Sequence, residues 1–107
     1  MDINVSEEDG RVLVELRGRL DTNSSPELQR AADEILKDSK KTEMTIDFES
    51  VDFVSSAGLR VLLMLQKKLG AGQAGQAGQG TLTIKNLSGA VREVFDMTGF
   101  SSIFTII

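Results

Sequence analysis

Apolar and polar residues alternate at the start of the chain. Ile3 and Val5 share one face of a first strand, and Val12, Val14 and Leu16 share one face of a second. Glu8-Asp9-Gly10 between them is a turn signal, so the spacing predicts an opening hairpin. After Gly18-Arg19-Leu20-Asp21 the period changes. Leu28, Ala31, Ala32, Ile35 and Leu36 recur three and four residues apart while Arg30, Asp33, Glu34 and Lys37 fall on the other side, the pattern of a helix lying on a sheet. Ser24 with Glu27 matches a capping box, Pro26 suits the first helical turn, and the polar run Asp38-Ser39-Lys40-Lys41 ends the helix.

Met44, Ile46 and Phe48 predict a further strand, and residues 52–59 read as a short turn into a helix from about residue 56 to 69 that stops at Gly70. Leu82 and Ile84 mark another strand. Ser88 can cap a helix carrying Val91, Val94 and Phe95, Gly99 ends it, and residues 103–107 form a terminal apolar strand. Alternating strands and helices imply a mostly parallel sheet, to which the hairpin adds an antiparallel pair. The expected class is therefore α/β with a mixed sheet, in one domain spanning residues 1–107. Residues 70–80 repeat Ala-Gly-Gln and read as a low-complexity loop. They lack the Gly-Lys-Ser or Gly-Lys-Thr ending of a phosphate cradle and lead into a strand, not a helix.

Composition narrows the chemistry. The 107 residues suffice for one core. With 12 Lys plus Arg against 16 Asp plus Glu, the charge is -4 and the basic residues are scattered, so no nucleic-acid partner is expected. No stretch has the length of a membrane span, and Met1-Asp2-Ile3-Asn4 lacks the basic start and apolar run of a signal peptide. A cytoplasmic protein with no membrane partner, monomeric when free, is expected. There is no Cys and no His, which removes thiol nucleophiles, thiolate metal sites and the commonest general base. No Tyr and no Trp are present either, so stacking platforms are poorly supplied. This composition favours a chain that binds or is acted upon, without metal or cofactor.

Ser55 and Ser56 stand at the first turn of the predicted second helix. A serine there is a preferred N-cap, and it is equally a place where a phosphate would be received by free N–H groups and the positive end of the helix dipole. As a nucleophile it lacks a base: Lys67 and Lys68 lie about 16 Å along the helix, and no Gly-x-Ser-x-Gly elbow is present. Asp47, Glu49 and Asp52 cluster near the same strand end, as a solvated terminus, a magnesium site or an aspartyl-phosphate acceptor would require. Along the helix, Leu59, Leu62, Leu63 and Leu69 form one apolar stripe, with Val61, Met64 and Leu65 largely opposite. Such a helix is either covered on both sides or presents an apolar patch to a partner.

These residues together resemble the STAS domains, and specifically the bacterial anti-sigma factor antagonists. Residues 51–63 are similar to the family's phosphorylation motif, Gly18-Arg19-Leu20-Asp21 to its Gly-x-Leu/Ile-Asp, and residues 94–100 to its closing helix and turn. The resemblance implies a regulatory binding protein, not an enzyme. In this family the unmodified antagonist binds an anti-sigma factor that is a GHKL-type serine kinase and frees a sigma factor; phosphorylation switches binding off, and a PP2C-type phosphatase reverses the mark. By position the acceptor would be Ser56, with Ser55 second, and Asp21, Thr22, Ser55, Ser56, Gly58, Arg60, Val61 and Met64 would meet the partner. Ser55 departs from the pattern, since many members carry Asp there. Two alternatives remain: a STAS scaffold or nucleotide-sensing module with Ser56 only as a cap, and an acceptor domain using Asp52 or Asp47.

Overall fold

Asp9 and Gly10 both take positive φ, 52° and 82°, which turns the chain in two residues and sets Glu8 opposite Arg11. This closes the expected hairpin of β1 (Asp2–Glu8) and β2 (Arg11–Leu20). In the computed structural model, which describes residues 1–37, 43–70 and 81–107, the chain continues through α1 (Ser25–Leu36), β3 (Glu43–Val54), α2 (Ser56–Gly70), β4 (Thr81–Lys85), α3 (Gly89–Met97), a 3-10 turn (Phe100–Ser102) and β5 (Thr105–Ile106). The run Asp38-Ser39-Lys40-Lys41 and nearly all of the Gly/Gln segment lie outside the described residues.

The sheet order is β1-β2-β3-β4-β5, antiparallel at the first pair and parallel thereafter, which is the mixed α/β sheet expected. Strand order follows chain order, so every parallel crossover steps the same way. Right-handed connections then put all three helices on one face. That face holds the core. Val12, Val14 and Leu16, Met44, Ile46 and Phe48, and Leu82 and Ile84 meet Leu28, Ala32 and Ile35 of α1, Leu59, Leu62 and Leu65 of α2, and Val91 and Phe95 of α3 in one buried cluster. Phe95 stands edge-on to Phe48 at 6.1 Å and to Phe104 at 5.9 Å, which ties α3 to the sheet.

Four expectations are corrected. Ser24 and Glu27 do not form a capping box: the Ser24 hydroxyl donates to the Arg19 carbonyl at 2.6 Å and accepts from Asp21 N–H at 2.9 Å, while the Glu27 carboxylate faces the Met1 amino group at 3.5 Å. The strand read as ending at Phe48 runs on to Val54. Its register against β2 slips twice, because residues 47–50 of β3 face residues 15–17 of β2 and residues 51–53 face 18–19. Each slip inserts one extra residue in β3, so the buried positions fall at Phe48, Val51 and Val54 and alternation is lost to the eye. On α2, Val61 and Leu65 are buried in the core with Leu59 and Leu62, whereas Leu63 is only half-buried, because α1 packs beside α2 and covers a second side of it. The terminal strand shrinks to Thr105–Ile106, since Phe100 and Phe104 turn their rings together at 5.9 Å and the 3-10 turn takes up the residues before it.

Candidate functional site

Leu20 and Val54 are paired at the carboxyl ends of two parallel neighbours, so the chain segments that leave them, Asp21 and Ser55, start side by side. In open α/β sheets this end is where function collects. The Ser55 N–H donates to the Leu20 carbonyl at 2.9 Å, which fixes where α2 begins. Its hydroxyl accepts from Gly58 N–H at 3.3 Å and its carbonyl accepts from Leu59 N–H at 3.0 Å. Ser55 is therefore the N-cap. Ser56 is the first helical residue, exposed, and its hydroxyl has no hydrogen bond among the described residues. The reading in which Ser56 serves as the cap is overturned by this placement. No acidic residue occupies the first turn, so the positive end of the helix dipole meets no countercharge from its own helix.

Gly58 is buried, and its place in the site is one of close approach. A Cβ there would lie 2.7 Å from Leu20 Cγ and 3.0 Å from the Leu20 carbonyl oxygen. Only the absence of a side chain lets the first turn of α2 settle onto the end of β2. Val61, expected at a partner surface, is 6% exposed and belongs to the core. Its side chain offers a partner nothing. Met64 is half-buried, and Thr22 and Arg60 are exposed.

Asp21 is held by its own loop. One carboxylate oxygen accepts from the N–H groups of Asn23 and Ser24, each at 3.0 Å, and the backbone carbonyl of Asp21 accepts from Ser25 N–H at 2.8 Å. The Ser24 N–H is the main cause that keeps the carboxyl below its ordinary value; the Asn23 N–H, the Ser24 hydroxyl and the Arg19 guanidinium add to it, and desolvation opposes them. Arg19 reaches Asp21 at 3.7 Å and lies 4.2 Å from the centre of the Phe53 ring, its register partner on β3. This Arg19-Phe53 stack was missed by reasoning from sequence. A Phe next to Asp52 at the end of an apolar strand was the available signal, and Phe53 is 38% exposed.

The three acidic residues do not form one group: Asp47 and Glu49 line a shallow pocket with Asp2 and Glu15, and Asp52 is not part of it. Asp47 is buried, and one of its oxygens accepts from Glu49 N–H at 2.9 Å and from the Asn86 side-chain amide at 3.1 Å, which braces the first bulge against the end of β4. Asp52 is exposed and is itself the extra residue of the second bulge. Among the described residues no group of three His, Cys, Asp or Glu is placed to hold a metal ion. Lys68 pairs with Asp33 of α1 at 2.8 Å, far from the serines. Among the described residues no helix is long and apolar enough to cross a membrane.

Sequence and structure comparisons agree with this architecture. The family model described as "Mlab, STAS domain" matches residues 3–106. The chain belongs to the STAS domain family, with the bacterial anti-sigma factor antagonists. Among its relatives, BtrV of Bordetella bronchiseptica, named an anti-sigma factor antagonist, is 32% identical over 107 residues, covering 99% of this chain and 85% of the relative. The crystal structure of an anti-sigma factor antagonist from Mycobacterium paratuberculosis is 26% identical, with a TM-score of 0.82 over 98% of this chain and 83% of that one. The Bacillus cell fate determinant SpoIIAA in its phosphorylated form shares the fold at 20% identity, with a TM-score of 0.73 over 99% of this chain and 91% of that one.

Proposed function

We propose that the unmodified chain binds an anti-sigma factor that is a serine kinase of the GHKL type and so frees a sigma factor, and that phosphorylation of Ser56 ends the binding. The observation that carries this reading is the division of labour at the start of α2: Ser55 is committed to the cap, and Ser56 presents an exposed, unbonded hydroxyl. In the transfer, Ser56 Oγ attacks the γ-phosphorus of the kinase's ATP, the bond from that phosphorus to ADP breaks, and the hydroxyl proton passes to a base on the kinase. A PP2C-type phosphatase adds water across the new P–O bond, returning the hydroxyl and inorganic phosphate. The chain itself supplies no catalytic group, and its working place is the cytoplasm. Asp21, Thr22, Arg60 and Met64 form the surround that the partner meets, and the existence of a phosphorylated form of SpoIIAA supports the same chemistry here.

The switch needs no refolding. A phosphate carries a charge of about -1.5 to -2 and is received by the first-turn N–H groups, while its bulk and charge, beside Asp52 and Asp21, penalise docking. Each factor of ten in affinity needs only about 1.4 kcal/mol. Incubation with the cognate kinase and ATP should add one phosphate to the intact mass, and Ser56→Ala should abolish that addition and bind the kinase constitutively. An unchanged mass in the parent protein would refute the acceptor assignment.

A further inference from the structure

Arg60 stands one helical turn beyond Ser56. It is exposed, and it has no carboxylate, carbonyl or ring partner among the described residues. The other cations nearby or on the same helix are differently placed: Arg19 is held by Asp21 and Phe53, and Lys68 by Asp33, while Lys67 lies in the last turns of α2. Residues four apart on a helix are surface neighbours with Cβ atoms about 5–6 Å from one another, and the favourable order places the anion N-terminal to the cation. Ser56 and Arg60 have that spacing and that order. Ser55 and Arg60 are five residues apart, about 140° around the helix, so a phosphate on Ser55 would face away from Arg60.

Resting on the reading that Ser56 is the modified residue, we propose that Arg60 is the internal receiver of that phosphate. Its planar guanidinium offers two parallel N–H donors to the phosphate oxygens, a fit a lysine does not reproduce. In the unmodified chain Arg60 projects into solvent and is free to meet an acidic side chain of the partner. After modification it closes on its own helix. Phosphorylation then does two things to the docking surface at once, adding a negative charge at position 56 and withdrawing a positive one at position 60. Arg60 is thus a positioning residue that makes position 56, and not 55, the place where the mark is stably held.

The test uses full-length protein with phosphoserine built into position 56 during translation, so that it does not depend on any kinase. The second ionisation of the phosphate is followed by phosphorus NMR in the parent, in Arg60→Gln and in Arg60→Lys. The midpoint in the parent is expected to lie below that in Arg60→Gln by about 0.3 pH unit or more, the size an exposed pair of this spacing supplies, with Arg60→Lys in between. Asp21, Arg19 and Asp52, together with the Met1 amino group and Glu27 beside them, are common to all three proteins. With phosphoserine at position 55 instead, Arg60→Gln should leave the midpoint in place. A midpoint at position 56 that Arg60→Gln does not move would overturn the proposal, as would an equal effect at position 55. Failure of the cognate kinase to modify Ser56 would instead overturn the reading it rests on, with the Arg60 pairing measured independently. Circular dichroism of each exposed-site variant checks that the fold is retained.

Discussion

Replacing Ser55 by Ala removes the side-chain oxygen that accepts from Gly58 N–H and leaves that donor to water at a partly buried helix start. Loss of an N-cap costs about 0.5–2 kcal/mol, and the length of this bond, 3.3 Å, places the loss in the lower half of that range, about 0.5–1 kcal/mol. For a domain of this size that lowers Tm by about 2–8 °C. Ser56→Ala removes no hydrogen bond of the described structure and substitutes the best helix former in the first turn, so its stability should equal the parent's or exceed it by a few tenths of a kcal/mol. Thermal and urea unfolding of both variants, with coincident transitions by two probes, supplies the comparison. The functional readout should divide the other way: Ser55→Ala still gains one phosphate from kinase and ATP, and Ser56→Ala gains none. A Ser56→Ala variant that loses about 1 kcal/mol while Ser55→Ala loses nothing would refute the assignment of cap and acceptor.

Gly58→Ala sets a Cβ 2.7 Å from Leu20 Cγ and 3.0 Å from the Leu20 carbonyl, so it should destabilise by about 1–3 kcal/mol in urea unfolding; a neutral result would show that α2 can shift without cost. Ser55→Asp keeps an equally good cap and adds a charge favoured at a helix N-terminus, so Tm should be unchanged or higher, yet the new carboxylate should raise the second ionisation of a phosphate on Ser56 in phosphorus NMR. Because the Asp21 carboxyl is held below its ordinary value of 3.8, the bracing it gives Asn23 and Ser24 is fully present above that pH and is lost as pH falls through the lowered value. The amide protons of Asn23 and Ser24 should therefore keep their native NMR shifts at pH 5 and lose them only as the pH falls below 3.8, and Asp21→Asn should remove that acid transition. Loss of those shifts already at pH 5 would contradict it.

The regular parts of the fold were legible because one period dominates each of them. Val12, Val14 and Leu16 alternate, Leu28, Ala32 and Ile35 recur at helical spacing, and each set buries one face. Ser88 and Gly99 could be placed from chemistry alone, as a cap whose hydroxyl accepts from Val91 N–H and as a residue at φ 80°. Misreadings arose where a third body decides. The hydroxyl of Ser24 answers to Arg19 and Asp21 across the loop, and the far side of α2 is filled by α1, neither of which local spacing contains. At residues 49–54 two bulges shift the buried positions to every third residue, a spacing that mimics a turn. The two serines themselves could be found from sequence, and the family resemblance ranked Ser56 ahead of Ser55 as acceptor, but spacing alone did not say which of them was the cap.

What separates them is the depth at which β3 ends. The two extra residues carried by its bulges bring Val54 level with Leu20, and the Leu20 carbonyl then takes the Ser55 N–H. That bond holds Ser55 against the end of β2, where its hydroxyl accepts from Gly58 N–H, and Gly58 can approach because it has no side chain. The next residue necessarily emerges on the outer side of the first turn, as Ser56 does. A bulge more or a bulge less would alter the level at which Val54 meets Leu20 and rotate a different residue into the cap. The irregular register of β3, a defect by the standard of an ideal sheet, is thus the feature that leaves one serine held in backbone bonds and the other exposed with its hydroxyl unbonded among the described residues.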